Sequence, residues 1–384
     1  MSELNPAARA RLSKLAKKYP TPFYAYDLAL IRAQVRGLRS AMPKNTDIHY
    51  AMKANSNREI LKCLRTAGTG VDTVSGGEIE RARECGFTPS QILFSGVGKR
   101  EDELQLAIRL KIKLINVESP QELVRLGMLA DRMKKDVYVG FRLNPDIAGA
   151  GGHKYISTGG HANKFGMPFN MLPELKKILR SHPRLKLLAT DFHIGSQLMK
   201  IAPFEQSLER TLPIFNELRA QGYPLRYFDV GGGLGIRYKD ETPIGFRAYG
   251  AMVKKHLKKL DARILTEPGR VLVGEAGHLV TTVEYIKRGP GKFFAIVDTG
   301  MHHLIRPALY QAYHPIASLK STKGAMKKYD IVGPICESSD VLAENRRLPE
   351  IEQGDFLVIG NAGAYGFSMA SRYNLQPLPS ELVF

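Results

Sequence analysis

Hydrophobic and polar positions follow two rhythms along the 384-residue chain. From Asp47 to about Arg270, short runs rich in β-branched and aromatic residues alternate with segments whose apolar residues recur every three or four positions. The runs are "DIHYAMKA", "GTGVDTVSG", "QILFSGVGK", "KLINVES", "DVYVGFRLNP", "LKLLATDFHIGS", "RYFDVGGGLG" and "ARILTEPGR", and they read as strands. "SNREILKCLRTAG", "GGEIERARECG", "EDELQLAIRLK" and "SPQELVRLGMLADRMKK" carry helical spacing, the first with a Ser or Asn available to cap it. Eight strand–helix units in succession predict a closed (β/α)8 barrel, with a doubly wound open sheet as the alternative.

From about Glu275 the rhythm changes. "LVTTVEYIKRG", "KFFAIVDTG", "KKYDIVGPI" and "DFLVIGNAG" are strand-like, separated by Gly, Pro and polar turns, with no long helix between them. The pattern predicts a barrel over residues 28–276 and an all-β domain over 277–384. "TPFYAYDL" is placed to lend that domain an N-terminal strand from residues 1–27. No internal repeat of fixed period is present.

Composition narrows the function classes. Hydrophobic content is 43% and charged content 24%, ordinary for a globular chain. No stretch approaches the roughly 18 apolar residues of a membrane span, so no membrane partner is expected. The opening "MSELNPAARARLSKLAKKYPTP" lacks the apolar centre of a secretory signal. Cys63, Cys85 and Cys336 show no CxxC spacing, which suits a reducing, cytoplasmic setting. The formal charge of +19 raises nucleic-acid binding, but the Lys and Arg are spread over helix faces and no such motif is present. A solvated basic surface is the better account, and no nucleic-acid partner is expected.

The candidate chemistry lies at the strand ends. In a barrel of this kind the carboxyl ends of the strands carry the active site. Here they bring Lys53, Asp72 and Ser75, Gly96 to Lys99, Glu118, Arg142 and Asn144, His193 to Ser196, Gly231 to Gly235, and Glu267 to Arg270. A lysine at a strand end ordinarily snorkels to solvent; held in a pocket, Lys53 could do Schiff-base chemistry. "DVGGGLG" lets backbone N–H groups approach an anion, and fits a phosphate better than a dinucleotide. Glu267 of "TEPGR" could keep a pyridinium charged, and a charged ring is an electron sink. His193 could lie over a planar ring. Together these point to pyridoxal 5′-phosphate.

"YAMKAN", "HIGSQ", "GGGLGI", "EPGR", "LIRPALY", "GPICESSD" and "GAYG" resemble the fold-type III PLP-dependent decarboxylases, in order and over nearly the whole chain. "HKYISTG" followed by "NKFGM" strengthens the resemblance. The resemblance implies that Lys53 bonds covalently to the cofactor and that His193 stacks on its ring. It implies that Ser196, Gly231, Gly232 and Gly233, with Gly269 and Arg270, hold the phosphate, that Glu267 pairs with the pyridinium, and that Asp72 belongs to the cofactor site. Arg270, Arg306, Tyr310 and Tyr365 are implied near substrate or cofactor. Cys336 is the implied proton donor, and Glu337 the implied reader of a distal amino-acid group. The implied active form is a homodimer whose active sites are shared across the interface. The implied reaction is loss of CO2 from meso-2,6-diaminopimelate to give L-lysine. Ornithine, arginine, carboxynorspermidine and a carrier-linked amino acid are the alternative substrates.

Three other readings fit less well. An alanine racemase-like enzyme normally sets an arginine at the ring nitrogen, where Glu267 stands here. A PLP carrier protein would be a barrel alone. A basic RNA-binding protein would predict strong, salt-dependent retention of nucleic acid. One departure from the family pattern is "DTGMHHLIRP", with His302 and His303 where an Asn and an acidic residue are expected. Adjacent side chains diverge and no third ligand is evident, so no metal is expected there.

Overall fold

The computed structural model describes residue 4 and residues 6–147, 164–320 and 325–384. The "HKYISTG" stretch, residues 153–159, lies outside them. Two compact units are present, one of Arg32–Gly235 with Thr242–Gly269, the other of Met1–Ile31, Ile236–Glu241 and Arg270–Phe384. In this division Arg270–Phe384 and the short segment Ile236–Glu241 go with the β-rich unit.

A first strand, β1 (Phe23–Tyr26), precedes the barrel. The barrel strands are β2 (Thr46–Ala51), β3 (Gly70–Thr73), β4 (Ile92–Phe94), β5 (Leu114–Val117), β6 (Val137–Arg142), β7 (Leu185–Asp191), β8 (Tyr227–Asp229) and β9 (Arg263–Thr266). All eight pair in parallel and in order, and β2 pairs with β9 to close the barrel. Strands covered by helices on the outside and packed side chains inside must be apolar on both faces. β3, β4 and β5 are accordingly buried at every position. Leu93, Leu114, Leu188, Ala189 and Leu265 form a core cluster. Gly140 lets β6 approach its neighbour, because a Cβ there would overlap Asn116 Oδ1.

The helices start where the sequence offers caps. Asn57 accepts from the backbone N–H groups of Glu59 and Ile60 before helix Arg58–Thr66. Ser75 and Ser119 each accept one such bond before Gly76–Glu84 and Pro120–Met133. Each cap follows a strand by a few residues, so the chain turns at the rim.

The second unit contains β10 (Gly277–Gly289), β11 (Lys292–Val297), β12 (Ile316–Ser318), β13 (Met326–Val332), β14 (Val341–Pro349), β15 (Phe356–Ile359) and β16 (Ser380–Val383). They join one sheet in the order β12-β15-β10-β11-β13-β14. β1 enters the same sheet, antiparallel to β10 and parallel to β16. Phe23, Ala25, Val280 and Val358 pack with Leu12 and Ala16 of helix Pro6–Lys18. No described helix is long and apolar enough to cross a membrane.

Candidate active site

Closure of the barrel brings the first and last strand ends together. Ala51 N–H, ending β2, donates to Pro268 O at 3.1 Å. A Cβ on Gly269 would sit 3.2 Å from those of Ala51 and Ala54, so the "TEPGR" turn packs on the turn that carries Lys53. Lys53 lies just past β2, in the short helical turn Met52–Ala54. Its Nζ donates to Asp72 Oδ2 at 2.9 Å, from the end of the neighbouring β3. Asp72 is fully buried, whereas the Lys53 side chain keeps 35% of its exposure.

Three more rim strands, β5, β6 and β7, are locked by charge. Arg142 Nη1 donates to Glu118 Oε1 at 2.7 Å, and its Nε lies 3.8 Å from Asp191 Oδ2. Glu118 also accepts from the N–H groups of Gly96 and Gly166, both at 3.0 Å. Lys99 is turned to structural use, donating to Gly96 O, Asn116 O and Glu122 Oε1.

The glycine run after β8 is tightly built. Gly231 has φ +64° and Gly233 φ +113°, conformations that favour glycine. A Cβ at Gly232 would overlap Glu267 O, and one at Gly231 would overlap Phe192 O. Asp229 Oδ1 accepts from Gly231 N–H at 2.9 Å, which folds the turn back on itself. Gly232 N–H donates to His193 Nδ1 at 3.2 Å. The histidine is thus an acceptor at Nδ1, and burial, with Arg142 and Lys53 nearby, holds its pKa well below the usual value. His193 is a neutral, flat ring held in place beside the glycine loop.

Asp191, Asp229 and Glu267 stand at three successive strand ends, with carboxylate oxygens within 4.8 Å of one another. Both oxygens of Asp191, Asp229 Oδ2 and Glu267 Oε1 are buried without hydrogen-bond partners, as is Asp72 Oδ1. Burial, then mutual repulsion, pushes Asp191 and Glu267 well above the carboxylate range. Asp229 is pushed up to about 7, by burial first. Glu78, in the first turn after Ser75, is also raised to about 7, chiefly by burial. Among the described residues the rim therefore gathers more buried carboxyl groups than the nearby cations Lys53 and Arg142 can neutralise. A cationic N–H donor is what this cluster lacks, and the protonated nitrogen of a pyridine ring fits that need. A glycine cradle and an amine beside it complete the fit to pyridoxal phosphate.

The β-rich unit holds a second polar cluster. Arg270 Nη1 donates to Tyr238 Oη at 2.7 Å, and its guanidinium lies 4.8 Å from the Tyr365 ring centroid. Arg306 lies 4.7 Å over the Tyr238 ring and donates through Nη1 to His314 Nε2 at 2.7 Å. His314 in turn donates from Nδ1 to Gly360 O at 3.0 Å. Burial, then the nearby Arg306, holds His314 down to about 3, so it is a neutral acceptor for the arginine. Arg306 Nε is buried and makes no hydrogen bond. Cys336 and Glu337 are exposed on the same unit. Cys336 N–H donates to Asn374 Oδ1 at 3.0 Å. Asp340 of the "CESSD" stretch accepts from Met301 N–H at 2.6 Å and Ile335 N–H at 2.8 Å, which fixes the loop's two ends. His303 is spent on Thr299 Oγ1 and Pro377 O.

The structure thus brings Lys53, Asp72, His193, Gly231–Gly233 and Glu267 to one rim, and Arg270, Arg306 and Tyr365 around Tyr238. Four participants carried no role in the sequence reading. Asp191 and Asp229 were visible inside "DFHIGSQ" and "DVGGGLG", where strand-end position was their signal. Tyr238 and His314 had no such signal, since each lies in a loop and matters only through its arginine.

A family model described as "Pyridoxal-dependent decarboxylase, pyridoxal binding domain" matches residues 28–274. The chain is similar to the diaminopimelate decarboxylase of Vibrio cholerae, 42% identical over 379 residues, covering 98% of this chain and 90% of that protein. It is 41% identical to the Pseudomonas aeruginosa diaminopimelate decarboxylase over 373 residues, covering 97% of this chain and 89% of the other. Among solved structures, it resembles the Helicobacter pylori diaminopimelate decarboxylase complexed with L-lysine, with a TM-score of 0.93 and 40% identity, covering 97% of this chain and 94% of that one.

Proposed function

The chain belongs to the pyridoxal-dependent decarboxylases, and from that premise we propose that it removes CO2 from meso-2,6-diaminopimelate to give L-lysine. The observation that carries the reading is the meeting, on one barrel rim, of the Lys53–Asp72 pair with the buried Glu267, whose Oε1 makes no hydrogen bond, and the glycine cradle. Relatives about 40% identical over nearly their full length support the substrate.

Pyridoxal phosphate, when bound, supplies an electron sink for the pair left behind when the carboxylate departs as CO2. Lys53 would hold the cofactor covalently through its amine, which Asp72 keeps oriented. Ser196, Gly231–Gly233, Gly269 and Arg270 would hold the phosphate. Glu267 would face the ring nitrogen and, once given that N–H, exist as the carboxylate that keeps the ring charged. His193, neutral and fixed by Gly232, would support the ring's face.

Substrate recognition needs both charge signs at the distal end of diaminopimelate. Arg306 offers a carboxylate a buried guanidinium with an unused Nε, backed by His314. Glu337 would meet the distal ammonium, with Arg270, Tyr310 and Tyr365 nearby. Cys336 would deliver the proton to the carbon that loses CO2. The exposure of Cys336 and Glu337 supports their service to a second copy of the chain. The reading therefore includes a cytoplasmic homodimer with shared active sites.

The test is direct. The PLP-loaded protein is incubated with meso-diaminopimelate, ornithine, arginine or carboxynorspermidine, and products are identified. Lysine from diaminopimelate alone is the expected result; CO2 loss from another substrate would keep the reaction and overturn the assignments of Arg306 and Glu337. Mixing the inactive Lys53→Ala and Cys336→Ala proteins should restore about a quarter of wild-type activity if sites are shared in a twofold dimer. No recovery after subunit exchange would refute the sharing.

A further inference from the structure

We propose that the β-rich unit carries a second ligand site, a cavity of about 230 Å³ suited to a small aliphatic ammonium ion and coupled to Arg306. The cavity is lined by the apolar Leu30, Ile316 and Val358 and by the polar Asp27, Glu275 and His278. Among the described residues no lysine or arginine lines it, although Arg237 is near enough to act on Glu275.

His278 provides the independent sign of a missing ligand. It is only 8% exposed, and its Nδ1 is buried without a hydrogen-bond partner. Burial, against the pull of Asp27, lowers its pKa to about 4, so the ring is neutral at neutral pH. A neutral imidazole has one acceptor nitrogen, and two carboxylates share the space. Asp27 uses one oxygen to accept from Leu30 N–H at 3.0 Å, which leaves it further lone pairs. An ammonium carries three donors and a positive charge, matching two acids and an imidazole. Its alkyl chain matches the apolar lining of Leu30, Ile316 and Val358. A ligand with a carboxylate at this end would be repelled.

The wall of the cavity is tied to the arginine by two routes. Gly360 and Asn361, which follow β15, both line it. Gly360 O accepts from His314 Nδ1, and His314 Nε2 accepts from Arg306 Nη1. Asn361 Nδ2 donates to Arg237 O at 2.8 Å, one residue before the tyrosine whose ring lies under Arg306. A ligand that shifts Gly360 or Asn361 therefore acts on the seat of Arg306.

Isothermal titration with n-butylamine hydrochloride tests the site, on PLP-loaded protein whose Lys53 linkage is first reduced with borohydride so that the probe cannot exchange at the cofactor. One saturable binding event is expected, retained in cofactor-free Lys53→Ala. Glu275→Gln should weaken it about tenfold, the usual effect of losing a charged hydrogen-bond partner. Ala8→Phe, from the helix that borders the cavity, should abolish binding by filling the space without removing charge. No binding to the wild type, equal binding in both cavity variants, or loss in Lys53→Ala would each overturn the site. The amine should also change KM for the substrate severalfold in the wild type and not in Ala8→Phe. That second effect rests on the role proposed for Arg306; binding without it would overturn the coupling alone.

Discussion

Lys53 and Asp72 stand at the ends of adjacent barrel strands, and the lysine amine donates to the buried carboxylate at 2.9 Å. The pair turns an ordinary strand-end lysine into an amine with a fixed direction. Lys53→Ala should abolish decarboxylation and leave the purified protein without the visible absorbance of a covalently held cofactor. Asp72→Asn should keep that absorbance and lower kcat by about tenfold or more, the scale of one charge-assisted hydrogen bond. Unchanged absorbance in Lys53→Ala would remove the lysine from its role.

Glu267 is buried beside Asp229 and Asp191 with one oxygen unpartnered. Glu267→Gln should retain cofactor, measured by titration of the apoprotein, and slow turnover by about 10²–10³-fold, in the range of other lost electrostatic contacts to developing charge. A rate equal to wild type would contradict the pairing with the ring nitrogen.

Cys336 sits on a loop whose backbone is held by Asn374 and Asp340. Cys336→Ala should leave cofactor binding intact and reduce kcat by about 10²–10⁴-fold, the usual worth of a positioned proton donor. Full activity in this variant would assign the proton to another group.

Arg306 depends on a neutral His314 as its acceptor. His314→Ala should raise KM roughly tenfold with a smaller change in kcat, because the lost contact seats a binding group rather than a reacting one. An unchanged KM would mean that Arg306 keeps its seat without the histidine.

The carboxyl cluster makes the cofactor-free protein sensitive to pH. Asp229 rises from 3.8 to about 7 on folding, chiefly through burial. The folded form thus holds a proton that the unfolded chain gives up, so this contribution is complete below pH 3.8 and is lost as pH rises through 7. Thermal unfolding of the apoprotein should show wild type losing Tm relative to Asp229→Asn over that window. Parallel Tm curves for the two proteins would show that Asp229 does not titrate as its burial requires.

The alternation of strand-like and helical runs determined the barrel, and the residues that close each run determined which side chains reach its rim. Lys53, His193, Gly231–Gly233 and Glu267 were legible because a strand end is a local feature, set by a handful of neighbouring residues. β14 was not: "VLAENRRLP" sets four polar residues in a row at its centre, with three of its nine positions exposed, so it lacks the signature of a buried strand, and only its antiparallel pairing with β13 reveals it. Closure was also beyond local reading. Thr46 to Ile48 pair with Ile264 to Thr266 across more than half the chain, and that pairing sets Lys53 beside the turn of Glu267. The same holds for burial. Asp191, Asp229 and Glu267 are ordinary acids in the sequence; tertiary packing removed their water and left both oxygens of Asp191 and one each of Asp229 and Glu267 without partners. Tyr238 and His314 likewise gained their parts only when folding set two arginines against them, since a hydrogen bond between distant residues depends on positions in space that no local pattern encodes.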